Sequence, residues 1–205
     1  MKPLSLIVLS GLLLVLSGCE QKYVVKKDGV YLKGWDEGRG KYEDLVEGAD
    51  PKTFESVETN YGIYIGKDKQ HVFFSTMIMD SIDPKSFKYI GNNYFVDKKY
   101  ACFYGAYHDF RSCKIDGVNP QKLELYSIYP WAHDDKYIIY PNPNVITQIQ
   151  NIESFHPITE RWGKTNDKIL YQGKILDSVD FATFKIIDEI YAEDKFHKYA
   201  YGQIK

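Results

Sequence analysis

Apolar and polar positions alternate in short runs along this chain. In "YGIYIGK" the apolar Tyr61, Ile63 and Ile65 fall on every second residue, the polar "DKQH" from Asp68 interrupts, and "VFF" resumes. A period of two with β-branched and aromatic residues predicts a strand. An Asp can accept hydrogen bonds from the backbone just after it, and so starts a turn. Strand, Asp-Lys turn and strand make a β-hairpin. Similar strings follow: "DKKYACFYG" from Asp97, "DKYIIY" from Asp135, "DKILYQG" from Asp167 and "DKFHKYAYG" from Asp194, with Asp28 in "KKDGVYLKG" as a degenerate copy. A recurring unit of this size signals a repeat architecture.

A second motif alternates with the first. "DPKTF" spans Asp50 to Phe54 and "DPKSF" spans Asp83 to Phe87, with looser copies "NPQKL" from Asn119 and "DFATF" from Asp180. The remaining unit has only "SFHPI", from Ser154 to Ile158, near that place. Asp before Pro suits the cap and first position of a short helical turn. Phe54 and Phe87 should then drop back onto the sheet, with "FESVE" and "FKYIG" opening the next strands. The expected fold is all-β: tandem antiparallel hairpin or meander units joined by short helical turns. A propeller-like ring and an open array both fit. One unit cannot bury its own face, so neighbours must supply the core. Calcium would need several oxygen donors around a Gly bend, so Asp68, Asp97, Asp135 and Asp167 are expected in turns and not at a metal.

The N-terminus reads differently. "MKPLSLIVLSGLLLVLSGC" places one Lys before an apolar run and small residues before Cys19. That order is a signal peptide, and the run is short for a bilayer span. The ending "LSGC" resembles the bacterial lipobox. It implies lipidation of Cys19, a removed segment 1–18 and a mature domain 19–205. Glu20 is not the Asp that resembles an inner-membrane retention signal, so the outer membrane facing the periplasm is the expected location. Export makes a Cys102–Cys113 disulfide the default.

Composition narrows the chemistry. The net charge of −2 disfavours nucleic acid. The five His are scattered, so no metal site or other cofactor is expected. No nucleophile elbow, zincin or phosphate-loop motif occurs. His133, Asp134 and Asp135 stand alone, a poor catalytic set. The 18 Tyr, 11 Phe and 3 Trp either pack between units or serve exposed contacts.

The motif pair resembles the DKNYY family, with the consensus "YAKDKNYVYY…GADPKTF". "EGADPKTFESVETNYGIYIGKDKQHVFF", Glu47 to Phe74, is the closest stretch, followed by "DSIDPKSFKYIGNNYFVDKKYACFYG", Asp80 to Gly105. The resemblance runs from about Tyr23 onward and weakens after Asp135. It implies a secreted or lipid-anchored bacterial protein of poorly defined function, and it carries no catalytic or binding residues.

One unit is stretched by "YACFYGAYHDFRSCKIDG", and Cys102 and Cys113 flank the insertion. Loops on rigid scaffolds often carry function. Tyr104, Tyr107, His108, Phe110 and Arg111 supply anchor types common at interfaces, so a protein partner is expected there. The expected role is a lipid-anchored, non-catalytic binding module, such as an immunity-type inhibitor of a secreted toxin. The alternatives are a structural or cell-wall glycan-binding lipoprotein and, third, a hydrolase with an unrecognised site.

Overall fold

A computed structural model of the chain describes residues 21–59, 63–104, 113–141 and 144–205. They form six small antiparallel sheets, so the all-β expectation holds. The first sheet is β1 (Lys22–Lys26), β2 (Gly29–Asp36) and β3 (Gly40–Leu45). The second is β4 (Glu55–Val57), β5 (Ile65–Lys67), β6 (Val72–Phe74) and β7 (Met77–Ile78). The third is β8 (Lys88–Gly91), β9 (Tyr94–Val96) and β10 (Ala101–Phe103), with Lys114 bridged to Cys102 at its edge. The fourth is β11 (Glu124–Leu125), β12 (Ala132–His133), β13 (Tyr137–Pro141) and β14 (Asn144–Gln148). The fifth is β15 (His156–Pro157), β16 (Trp162–Lys164), β17 (Ile169–Tyr171) and β18 (Lys174–Ile175). The sixth is β19 (Lys185–Ile186), β20 (Tyr191–Glu193), β21 (Lys198–Ala200) and β22 (Gln203–Ile204). Every sheet is a meander in chain order.

The two sequence motifs meet in space. In the second sheet Asp68 Oδ1 accepts from the N–H groups of Gln70 and His71, both at 2.7 Å, closing the β5–β6 turn. Its Oδ2 accepts from the N–H of Asp50 at 2.9 Å. Thr53 Oγ1 donates to Asp50 Oδ2 at 2.9 Å and accepts from Lys69 N–H at 3.4 Å. The third sheet repeats this latch with Asp97, Asp83, Ser86 and Lys98. The sixth repeats it with Asp194, Asp180 and Thr183. Each half of the motif pair thus supplies the polar partner that the other half needs. Burial of Asp68 and Asp97 is tolerated because their acceptor sites are filled.

The expected register slips in two units. The fourth-sheet turn is set by Asp134, whose Oδ1 accepts from Lys136 and Tyr137 N–H groups and whose Oδ2 accepts from Asn119 N–H at 2.8 Å. Asp135 is exposed beside it. The fifth turn is set by Thr165, which accepts from Asp167 and Lys168 N–H groups. The position that matters directly follows the second strand, and only in the clean copies does Lys come next. The looser helical-turn motif is also displaced: Asn151 caps a 3-10 turn over Ile152–Ser154, and Phe155 follows. "NIESF" therefore stands where "DPKSF" stands two units earlier.

The motif Phe does drop onto its sheet. A Cβ on Gly66 would sit 2.2 Å from the Phe54 ring, and one on Gly163 would sit 2.4 Å from Phe155. Glycine is needed there so that the ring can lie against the backbone.

Successive sheets share cores. The strands are too short for one-sided packing, and their two faces serve two neighbours. Ile65, Val72 and Phe74 pack with Phe95 and Cys102 of the third sheet, while Phe73 packs back on Val30 and Leu32 of the first. Tyr94, Val96, Ala101 and Phe103 meet Ala132 and Ile139. Trp131, Ile138 and Tyr140 meet Phe155 and Leu170, and Trp162, Ile169 and Tyr171 meet Ala192 and Tyr199. Most aromatics on both strand faces are therefore inter-unit core. Among the described residues no core cluster joins the sixth sheet to the first, so the array is open.

Its end sheets mix charged pairs with exposed apolar side chains, among them Trp35 and Leu45 on the first and Tyr201 and Ile204 on the last. On the outer face of the first sheet, Glu43 pairs with Lys26 and Lys33, and Lys26 lies 4.4 Å over the Tyr31 ring. On the last sheet, Tyr191, Glu193 and Lys198 take the forward positions held by Trp162, Lys164 and Ile169 one unit earlier, by strand register.

Candidate protein-interaction surface

The repeated polar residues are engaged in the latches. The step between the second and third sheets provides a candidate functional surface. β7 is an edge strand, and its Met77 and Ile78 are 53% and 36% exposed. With Met79, Asp80, Cys113 and Lys114 they line a groove of about 850 Å³. A short strand edge that is unpaired among the described residues and carries apolar side chains is a template for an added strand. The β6–β7 turn reaches this edge through Ser75 at φ 50°.

Cys102 and Cys113 are buried beneath this groove. Their Sγ atoms are 3.0 Å apart and both are free thiols. The expected disulfide is thus not formed in this structure, since a covalent S–S bond is about 2.05 Å long. The backbone already holds the pair in place: Phe103 N–H donates to Cys113 O at 2.8 Å, and Ile115 N–H donates to Ala101 O at 2.9 Å. The shared hydrogen bond, and then burial, push the Cys102 thiol up. The same hydrogen bond holds Cys113 down against opposing burial, with help from Lys114.

Of the residues expected to meet a partner, Tyr104 lies among the described residues. It is half-buried, its ring centroid is 4.4 Å from that of Phe74, and its N–H donates to Asn93 O at 2.9 Å. It packs against the core between the second and third sheets. Tyr107, His108, Phe110, Arg111 and the lipidation residue Cys19 lie outside the described residues. The groove residues Met77, Ile78 and Lys114 were not singled out by sequence. For Met77 and Ile78 the sequence signal was the strand-like "TMIMD", of which only Met79 turns into the core.

The isolated His133–Asp134 pair is structural. His133 Nδ1 lies 3.0 Å from the backbone oxygen of Asp134, not from its carboxylate. That carboxylate already accepts three backbone N–H groups. Among the described residues no three His, Cys, Asp or Glu side chains group as metal ligands. No described helix is long and apolar enough to cross a membrane.

The DKNYY family model matches residues 23–203. No curated protein and no solved structure matches the chain.

Proposed function

The chain belongs to the DKNYY family, and from that premise we propose that it is a non-catalytic protein-binding module of the cell envelope. The family motif builds the scaffold, so the activity belongs to residues outside it. The observation that carries this reading is the groove beside β7, where exposed Met77 and Ile78 border a strand edge. A partner that adds an extended segment to this edge gains main-chain hydrogen bonds and apolar contacts together. Inhibition of a secreted toxin, as in immunity-type proteins, is one use of such a rigid surface. Lipid on Cys19 would hold the module at the outer membrane, facing the periplasm. In that oxidising compartment Cys102 and Cys113 would close into a disulfide beneath the groove.

The test places a photo-crosslinking side chain at Met77 in the native envelope. A discrete protein adduct is expected, and Ile78→Asp should lower its yield at least tenfold. Recovery of glycan strands alone, or full protein capture by Ile78→Asp, would overturn the reading. Fractionation of Cys19→Ser tests the anchor separately: the variant should leave the membrane pellet.

A further inference from the structure

The first sheet is built on longer strands than the rest. β2 has eight residues and β3 six, whereas no other described strand exceeds five. The core uses only part of that length: Val30, Leu32 and Val46 pack on Phe73, and no residue from Lys33 to Lys41 belongs to a core cluster. Strand register assigns the outer face. Lys22 stands opposite Lys33, Lys33 opposite Glu43, Trp35 opposite Lys41, and Tyr31 opposite Val24 and Leu45. Tyr31, Lys33 and Trp35 alternate with the core-facing Val30 and Leu32, so this set lies on the one face turned away from the second sheet.

The charges on this face do not cancel. Lys22, Lys26, Lys33 and Lys41 share it with one acid, Glu43, which pairs with Lys26 and Lys33. Lys22 and Lys41 are exposed and make no ion pair among the described residues. Asp28 reaches the far rim, where it accepts from the Tyr31 hydroxyl at 3.1 Å. With the turn residues Lys27, Asp28 and Glu37 included, five lysines still face three acids, on a chain of net charge −2. Asp36 and Asp44 fall on the opposite face by register, and both pair with Arg39. Trp35 is half exposed among these lysines, whereas Trp131 and Trp162 are buried. The chain also enters at this corner: a Cβ on Gly34 would meet Gln21 Cγ at 3.0 Å. Two residues reach at most about 7 Å, so a group carried on Cys19 stays close to Trp35 and Lys22.

We propose that this corner of the first sheet, Trp35 with Lys22, Lys33 and Lys41, docks on an anionic phospholipid bilayer when lipid on Cys19 tethers the chain there. The inference rests on the anchor reading above and adds an orientation to it. The lysines meet headgroup phosphates, and the indole of Trp35 sits at the interface, where Trp is favoured. An acyl anchor and a basic patch then act as two signals on one surface. A second copy is the poorer occupant, since two such faces would bring like charges together. A soluble polyanion would engage the lysines but leave Trp35 in water. Docked this way, the array leads from the first sheet away from the bilayer.

The experiment takes the protein from its own membrane in detergent and reconstitutes it into phosphatidylcholine vesicles with brominated acyl chains, with and without phosphatidylglycerol. Sedimentation reports the anchor, and quenching of Trp fluorescence reports the face. Quenching should appear on the anionic vesicles, fade with added salt and vanish in Trp35→Phe, because the other two Trp are buried. Each basic residue at such a surface favours docking by about fivefold, so Lys22→Gln/Lys41→Gln should lower the docked-to-free ratio roughly 25-fold while sedimenting like the parent. Sedimentation without quenching would overturn the proposal and leave the anchor standing. Equal quenching without phosphatidylglycerol, or quenching unchanged in Lys22→Gln/Lys41→Gln, would overturn it as well. Failure to sediment would reject the anchor, and the docking with it.

Discussion

The indole N–H of Trp162 donates to the backbone carbonyl of Asp188, 2.9 Å away in the next sheet. Trp131 does the same to Thr159 at 2.9 Å, and the Tyr94 hydroxyl to Pro130 at 2.7 Å. All three side chains open or directly precede the second strand of their sheet on its forward face. Each buries an apolar ring between units and delivers its one polar atom to the turn of the following unit. The step from one unit to the next is therefore fixed in direction as well as in packing.

That relation sets the first prediction. Trp162→Phe keeps most of the ring but strands the Asp188 carbonyl, so it should cost about 1–2 kcal/mol in urea unfolding. Trp35, half exposed on the first sheet, is the control: Trp35→Phe should stay within about 0.5 kcal/mol. Equal effects at the two sites would mean that the inter-unit bond adds nothing.

The latch gives the second prediction. Asp97 is 2% exposed and accepts from Lys99, Tyr100 and Asp83 N–H groups. Asp97→Ala leaves all three unpaired and should cost roughly 3 kcal/mol or more. Asp135 is exposed, and Asp135→Ala should be nearly silent while Asp134→Ala behaves like Asp97→Ala. Denaturation midpoints of the three variants decide it, and a large loss at Asp135 would reject the register.

These two residues also show how much could be read from sequence. The meander, the turn role of Asp68 and Asp97 and the return of Phe54 and Phe87 to the sheet were legible, because each follows from local periodicity and backbone preference. Asp134 was hidden because Asp-Lys marks the turn only when its Asp is the residue directly after the strand end, and in "HDDK" that residue is the first Asp. The bond from Asp97 Oδ2 to Asp83 N–H was hidden because it joins motifs that only the folded chain brings together. The groove at Met77 depends on which strand edge lacks a neighbour, a property of the stack and not of any segment. The contact of the half-buried Tyr104 with Phe74 of the preceding sheet is likewise between units and is not written in either segment alone.

Acid should weaken the protein through the same carboxylates. Burial works against ionisation of Asp194, but hydrogen bonds from Tyr199 and from the N–H groups of Asp180, Phe196 and His197 outweigh it and hold the carboxyl well below its usual range. Lys98, then Ser86, lower Asp83, and backbone N–H of Lys52 lowers Asp50. A depressed folded-state value means that the stabilisation is complete above the ordinary carboxylate range, near pH 4, and is lost as pH falls below it. Unfolding free energy should therefore be flat from pH 7 to about 4.5 and then fall. Asp194→Asn should be less stable at pH 7 and show a shallower fall. A variant parallel to the parent at every pH would remove Asp194 from the acid response.

The cysteine pair carries the last prediction. Cys102 and Cys113 are held side by side by the flanking backbone bonds, and Cys113 is the thiol whose ionised form is favoured. Thiolate attack by Cys113 on an external disulfide, such as oxidised glutathione, forms a mixed disulfide and releases one glutathione thiolate. Cys102 then loses its proton and displaces the second, closing the intramolecular bond; two electrons pass to the reagent in all. Because the thiols are already in contact, little rearrangement opposes closure. Closing a loop of this length restricts the unfolded chain and should add about 2–3 kcal/mol. Alkylation under denaturing conditions, with and without reductant, should show both thiols protected after oxidation, in a monomer whose urea midpoint has risen. Persistently alkylatable thiols, disulfide-linked dimers or an unchanged midpoint would show that the pair serves the core between the second and third sheets only as two packed thiols.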